Sequence, residues 1–142
     1  MNLYLDTSSL FKLYVEEPGS RAIEALASRA ETVHTSRVAY AEFRGSIARA
    51  RRGRRVPDIA YSEALGYFEN SWLTYSIREV TEPLVRLAGD LAAKHFLRGF
   101  DAIHLASAVA LQHELDEPIT FSASDGRLVE AAELEGLTAA AG

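Results

Sequence analysis

Residues 102–115 constrain the fold more than any other stretch of this chain. Read as a helix, they are apolar on nearly every side, broken by His104, Ser107, Gln112 and His113. A helix of that kind has to be central and covered by other elements. Leu3-Tyr4-Leu5 is a short apolar run fit for a first strand, and residues 32–35, 75–80 and a run starting at Pro118 supply three more. Residues 137–141 read as a short final strand or a tail. Helical spacing fills the gaps between strands. Residues 8–15 gather Leu10, Leu13 and Tyr14, and residues 21–29 space Ile23, Leu26 and Ala27 for one face. A longer helix over about 37–52 carries Tyr40, Phe43 and Ile47, and residues 59–72, with Leu65, Phe68 and Trp72, fold back against it. Leu84, Leu87, Leu91 and Ala92 mark a helix that ends near Leu97 with Gly99 as its stop signal, and residues 128–135 form the last. Strands alternating with helices predict an α/β chain whose parallel sheet is covered on both faces. One domain is expected over residues 1–142.

Functional sites in such sheets form at the carboxyl ends of the strands. Asp6, in Leu5-Asp6-Thr7-Ser8-Ser9, and Asp125, in Ser124-Asp125-Gly126-Arg127, both follow predicted strands at that end. Glu42 falls off the apolar stripe of its helix, in line with Val38, Gly45 and Arg49. Asp101, in Gly99-Phe100-Asp101-Ala102-Ile103-His104, stands at the mouth of the apolar helix. Four carboxylates on one rim repel one another, and keeping all of them ionised is costly without a cation. Oxygen-only ligands suit magnesium or manganese, and a cleft holding such ions is equipped to cut phosphodiester bonds. Asp6 and Asp101 are the candidates for direct metal contact; Glu42 and Asp125 would hold a second ion or bind through water. Ser8 and Ser124 are the hydroxyls placed to orient the site.

Each residue has a plainer reading. Asp6 and Asp101 can cap the helices that follow them, Asp125-Gly126 is a turn signal, and Glu42 can be a solvated helix residue. His104 reads as a core histidine paired with backbone or a side chain, with metal ligation as the alternative. The net charge of −5 argues against a general nucleic-acid binder, yet Arg44, Arg49, Arg51, Arg52, Arg54 and Arg55 form a block without an acid among them. Arg44, Arg49, Arg51 and Arg52 are candidate RNA-phosphate contacts, a solvated surface being the plainer reading. Absence of cysteine excludes disulfides, thiolate zinc sites and a cysteine nucleophile. It also fits a reducing cytoplasm, where the protein is expected. No apolar run approaches the roughly 20 residues of a membrane span, and the first residues lack the marks of a secretion signal.

Taken in order, these motifs resemble the PIN-domain ribonucleases, specifically the VapC toxins of bacterial and archaeal toxin–antitoxin pairs. Leu5-Asp6-Thr7-Ser8-Ser9-Leu10 is similar to the family's opening motif, and Glu42 stands where the family places its helix glutamate. Arg98-Gly99-Phe100-Asp101-Ala102-Ile103-His104-Leu105-Ala106 is very similar to the most recognisable family segment. Phe121 through Asp125, then Arg127-Leu128, resembles the final acidic motif. One position departs: the family commonly has threonine or serine two residues before the last aspartate, and here that residue is Ala123, flanked by Ser122 and Ser124. The resemblance implies a three-layer α/β/α sandwich with a mostly parallel sheet. It further implies magnesium-dependent RNA cleavage by the acidic cluster, a cognate antitoxin and frequent homodimerisation. An apolar groove for a partner segment is expected around Phe43, Ile47, Leu65, Phe68 and Trp72. The competing reading keeps the fold and drops the chemistry, leaving an RNA-binding or scaffold protein with a degenerate site; Ala123 is its support. A phosphoacceptor domain would be expected to bear adjacent acids after the first strand, where this chain has Thr7 and Ser8.

Overall fold

The structure, a computed structural model, describes residues 1–141. Strands and helices alternate along the chain: β1 (Asn2–Leu5), α1 (Thr7–Phe11), α2 (Ser20–Arg29), β2 (Thr32–Ser36), α3 (Val38–Arg52), α4 (Asp58–Trp72), β3 (Ser76–Arg78), α5 (Glu82–His95), α6 (Gly99–Leu115), β4 (Ile119–Ala123), α7 (Gly126–Leu134) and β5 (Thr138–Ala141). The five strands form one sheet in the order β3-β2-β1-β4-β5, and every pairing is parallel. The last segment is therefore a strand, paired with β4 through Phe121 opposite Ala139.

Side-chain alternation in β1 divides the interior in two. Tyr4 points to a core shared with α5, α6 and α7, whereas Leu3 and Leu5 point to a core shared with α1 to α4. The result is the three-layer α/β/α sandwich. The apolar helix α6 is central as its composition requires, with Ala102, Leu105, Ala106, Ala108 and Leu111 buried. On the other side, Phe43 of α3 and Phe68 of α4 stack with ring centroids 3.8 Å apart, and Tyr14, Tyr40 and Trp72 close around Phe68. Burying each large side chain of that kind contributes about 1.5–3 kcal/mol.

Three local expectations are corrected. Helix α1 stops at Phe11 rather than Val15, because Leu13 and Tyr14 donate to carbonyls three residues back and tighten the chain into turns. Gly99 opens α6 instead of stopping α5. The stop is Phe96, which adopts a left-handed φ of 56° while its N–H returns to the Ala92 carbonyl. The apolar groove expected between α3 and α4 is filled: Phe43, Ile47 and Phe68 have no exposed surface, since the two helices pack directly on each other and on β1.

Candidate active site

At the β1–β4 seam the strand order turns, β2 lying on one side and β4 on the other. Ligands of open parallel sheets bind outside the carboxyl ends of the strands at such a seam. The Asp6 N–H donates to the Ser122 carbonyl at 3.1 Å, tying the end of β1 to β4. A cleft of about 580 Å³ opens here. Asp6, Thr7, Ser8 and Lys12 line it from the β1–α1 side, Asp101 and His104 from α6, and Ser124 from the end of β4. Glu42, Gly45 and Arg49 of α3 form the opposite wall with Arg55.

Asp6 caps α1 and faces the cleft as well. Its Oδ1 accepts from the Ser9 N–H at 2.9 Å and from the Ser8 hydroxyl at 2.7 Å. The residue is 5% exposed. Burial raises its carboxyl above the ordinary range and the charge of Glu42 adds to this, against the pull of His104 and the two hydrogen bonds. Asp101 does not cap α6. The helix begins two residues earlier with Arg98 as its N-cap, so Asp101 sits in the first turn. Burial raises its carboxyl too, followed by the charges of Asp6 and Asp125. Asp125 caps α7, its Oδ1 accepting from the Leu128 N–H at 3.0 Å. It lies exposed beside the cleft and acts on Asp101 through its charge.

Glu42 is held differently. Its Oε1 accepts from the Thr7 hydroxyl at 2.6 Å and from His104 Nε2 at 2.9 Å. His104 is 2% exposed, and its Nδ1 lies 2.8 Å from the Tyr4 hydroxyl. The ring bridges the two groups, Nε2 toward the Glu42 carboxylate and Nδ1 toward the Tyr4 hydroxyl. Burial pushes the Glu42 carboxyl up, but the bonds from His104 and Thr7 outweigh it and leave the group below its ordinary value. His104 is thus paired with side chains, and it connects the buried core to the cleft.

The carboxylates meet the cleft as separate groups. Among the described residues, no three His, Asp or Glu side chains stand close enough to hold one ion between them. Asp6, Glu42 and Asp125 are each held by anchors of their own. Their chemistry still fits a hard divalent cation. Asp6, Glu42 and Asp125 each keep a second oxygen free of protein hydrogen bonds, and neither oxygen of Asp101 is engaged, among the described residues. A cation that retains several waters suits such an oxygen-only set.

Of the arginines singled out in the sequence, Arg49 lines the cleft. Arg44 pairs with Glu69 and donates to the Tyr40 hydroxyl, Arg51 pairs with Asp58 at 2.9 Å, and Arg52 is exposed away from the cleft lining. Sequence reasoning missed two members of the site, Thr7 and Lys12, and did not single out Arg55 within its arginine block. Thr7 fixes Glu42. Arg55 reaches the cleft from the turn after α3. Lys12 is 7% exposed; its Nζ donates to the Ser124 hydroxyl at 2.7 Å and pairs with Glu17 at 3.4 Å. A lysine inside the apolar string Leu10-Phe11-Lys12-Leu13-Tyr14 was the available signal. Ser124 therefore holds Lys12, while its N–H donates to the Ser8 hydroxyl at 3.1 Å. Ala123 is wholly buried in the core beneath α6 and α7.

The fold and this acidic rim define a PIN domain: residues 3–134 match that family's model, and the chain belongs to the family. More particularly, the chain is 37% identical over 109 residues to Ribonuclease VapC45 of Mycobacterium tuberculosis (strain CDC 1551 / Oshkosh), covering 77% of this chain and 76% of the relative. Among solved structures, FitAcB from Neisseria gonorrhoeae is similar with a TM-score of 0.67 at 21% identity, covering 96% of this chain and 95% of the other. A toxin–antitoxin complex from Klebsiella pneumoniae is similar with a TM-score of 0.60 at 17% identity, covering 87% and 86%. At those identities the structural likeness is one of fold.

Proposed function

We propose that this chain is a metal-dependent endoribonuclease, the toxin of a toxin–antitoxin pair, acting as one domain. The observation that carries the reading is the meeting of Asp6, Glu42 and Asp101, from three separated segments, in one cleft at the sheet's seam. The relationship to a protein named a ribonuclease supports it. Asp6 and Asp101 are the residues to hold magnesium or manganese directly, with Glu42 and Asp125 acting through water or at a second ion. When bound, the cation supplies charge neutralisation for the phosphodiester and acidifies a water. The protein's own groups fix the geometry. Ser8 and the Ser9 N–H lock one oxygen of Asp6, and Thr7 and His104 lock one oxygen of Glu42. Each leaves its second oxygen to bind a cation or align a water for in-line attack on phosphorus.

The experiment is cleavage of a generic RNA by purified protein with and without EDTA, alongside Asp6→Asn and Asp101→Asn. Asparagine at position 6 keeps an oxygen to accept from the Ser9 N–H, so the cap survives the loss of charge. Loss of cutting in EDTA and in both variants is expected; unchanged cutting by either variant would refute the assignment. Ala123 is the support of the degenerate-site alternative, and cleavage by the wild-type protein that EDTA abolishes would reject that alternative. A cognate antitoxin, a homodimer and a cytoplasmic location belong to the same proposal. The Klebsiella pneumoniae neighbour is a toxin–antitoxin complex, and among the described residues no helix is long and apolar enough to cross a membrane.

A further inference from the structure

The cations around the acidic cleft are not equivalent: Arg98, the exposed N-cap of α6, acts on Asp101 by its charge from outside the α3 wall. Lys12 is buried and engaged by Ser124 and Glu17. Arg49 and Arg55 also line the cleft, both on exposed positions, and neither has a carboxylate partner among the described residues. Their neighbours Arg44 and Arg51 are paired with Glu69 and Asp58. Among the described residues, the only side-chain bond of Arg49 goes to the Ser46 hydroxyl at 3.3 Å.

Two local features aim these side chains. Gly45 lies one turn before Arg49, and a Cβ built on it would stand 3.1 Å from Arg49 Nη1. The missing side chain lets the guanidinium lie back along α3 toward Glu42. Arg55 is placed by the turn that ends α3. Arg54 takes a φ of 59°, Arg55 and Val56 both return an N–H to the Ala50 carbonyl, and Val56 is buried as an anchor.

We infer that Arg49 and Arg55 form a phosphate-binding subsite on the α3 wall, taking an RNA phosphate next to the one at the carboxylates. The inference rests on the nuclease reading for the identity of the ligand. A guanidinium pair without a protein anion offers its forked donors to phosphate oxygens. Their position also addresses an electrostatic difficulty, since a polyanion approaching Asp6, Glu42 and Asp101 is repelled unless positive charge stands beside them.

The test measures binding of a labelled single-stranded RNA in EDTA by filter retention across a salt series, and cleavage kinetics in magnesium. Arg49→Ala and Arg55→Ala are each expected to raise KM on the order of tenfold, as for loss of one charge-assisted hydrogen bond, with kcat largely kept. Each should reduce the slope of log K against log salt by about 0.7. Arg21→Ala, an exposed charge on α2 outside the cleft, is the matched control. Gly45→Ala should raise KM in the same direction to a smaller extent while raising Tm, because it displaces Arg49 yet favours the helix. Wild-type salt slopes in both arginine variants, or an equal change in Arg21→Ala, would overturn the subsite. So would weaker binding of polyglutamate with RNA binding intact. If wild-type protein cuts no RNA but its RNA binding still depends on Arg49 and Arg55, the nuclease reading fails and the subsite stands. Cutting at unchanged KM in both variants gives the reverse.

Discussion

On the β1–β4 side of the cleft, Asp6 and Asp101 are carboxylates with no salt-bridge partner among the described residues, and burial drives both upward in pKa. On the α3 side, Glu42 is as much a part of the cleft, yet hydrogen bonds from His104 and Thr7 hold it below the ordinary carboxylate range. The same functional group is thus strained toward neutrality on one wall and stabilised as an anion on the other. The first wall is answered only in part from within, by His104 at Asp6 and by His104 and Arg98 at Asp101, and its carboxyls stay raised; the second is held low by hydrogen bonds, in a chain reaching the fully buried Tyr4.

The largest test of this contrast removes charge from the strained wall. Asp6→Asn or Asp101→Asn should lower RNA cleavage roughly 10²–10³-fold, the scale of losing one electrostatic group from an active site. The same variants should melt higher by roughly 2–5 °C, since each relieves a repelled carboxylate, buried at position 6 and half-buried at position 101. A fall in Tm at both positions would break the contrast. Removing the internal answer should do the opposite. His104→Ala leaves the Tyr4 hydroxyl unpaired and Glu42 Oε1 with the Thr7 hydroxyl alone, costing about 1–3 kcal/mol in urea unfolding. Its cleavage should drop roughly 10–100-fold, as when an outer partner of an active carboxylate is lost.

The pH dependence sharpens the same comparison. Asp6 and Asp101 are raised in the folded state, so their ionisation opposes folding at neutral pH, and that opposition fades as pH falls through their folded values toward about 4. Glu42 has the reverse sign: its contribution is present above its unfolded value of about 4.5 and is lost as pH falls through the lowered folded one. The Tm advantage of Asp6→Asn over wild type should therefore shrink between pH 7 and about 4; a gap constant with pH would contradict it. The smallest effect belongs to Ser8→Ala. It removes one hydrogen bond to Asp6 and the acceptor of the Ser124 N–H, costing about 1 kcal/mol by thermal or urea unfolding.

The legible part of this molecule was whatever local pattern dictates. Alternating runs gave the parallel sheet, and the all-round apolar stretch at residues 102–115 gave a central helix. Helical phase put Glu42, Gly45 and Arg49 in one line, and all three line the cleft. What stayed hidden depends on contacts across the chain. Nothing near Thr7 indicates that its hydroxyl meets a glutamate 35 positions away, and nothing near His104 names Tyr4. Gly99 misled because glycine suits a helix start as well as an end. The left-handed residue that ends α5 is instead Phe96, a residue type rarely found in that conformation. The arginine block looked uniform because composition carries no direction; the turn at Arg54 and the cradle at Gly45 separate its members.

That turn has a further consequence. The carboxylates hang from strand ends and helix starts that cannot shift without disturbing the core. Arg55 instead hangs from the five residues of irregular backbone, 53–57, between α3 and α4, pinned mainly by Val56. That bend can therefore be lengthened or recomposed with less disturbance to the carboxylates than a change in any element that carries them.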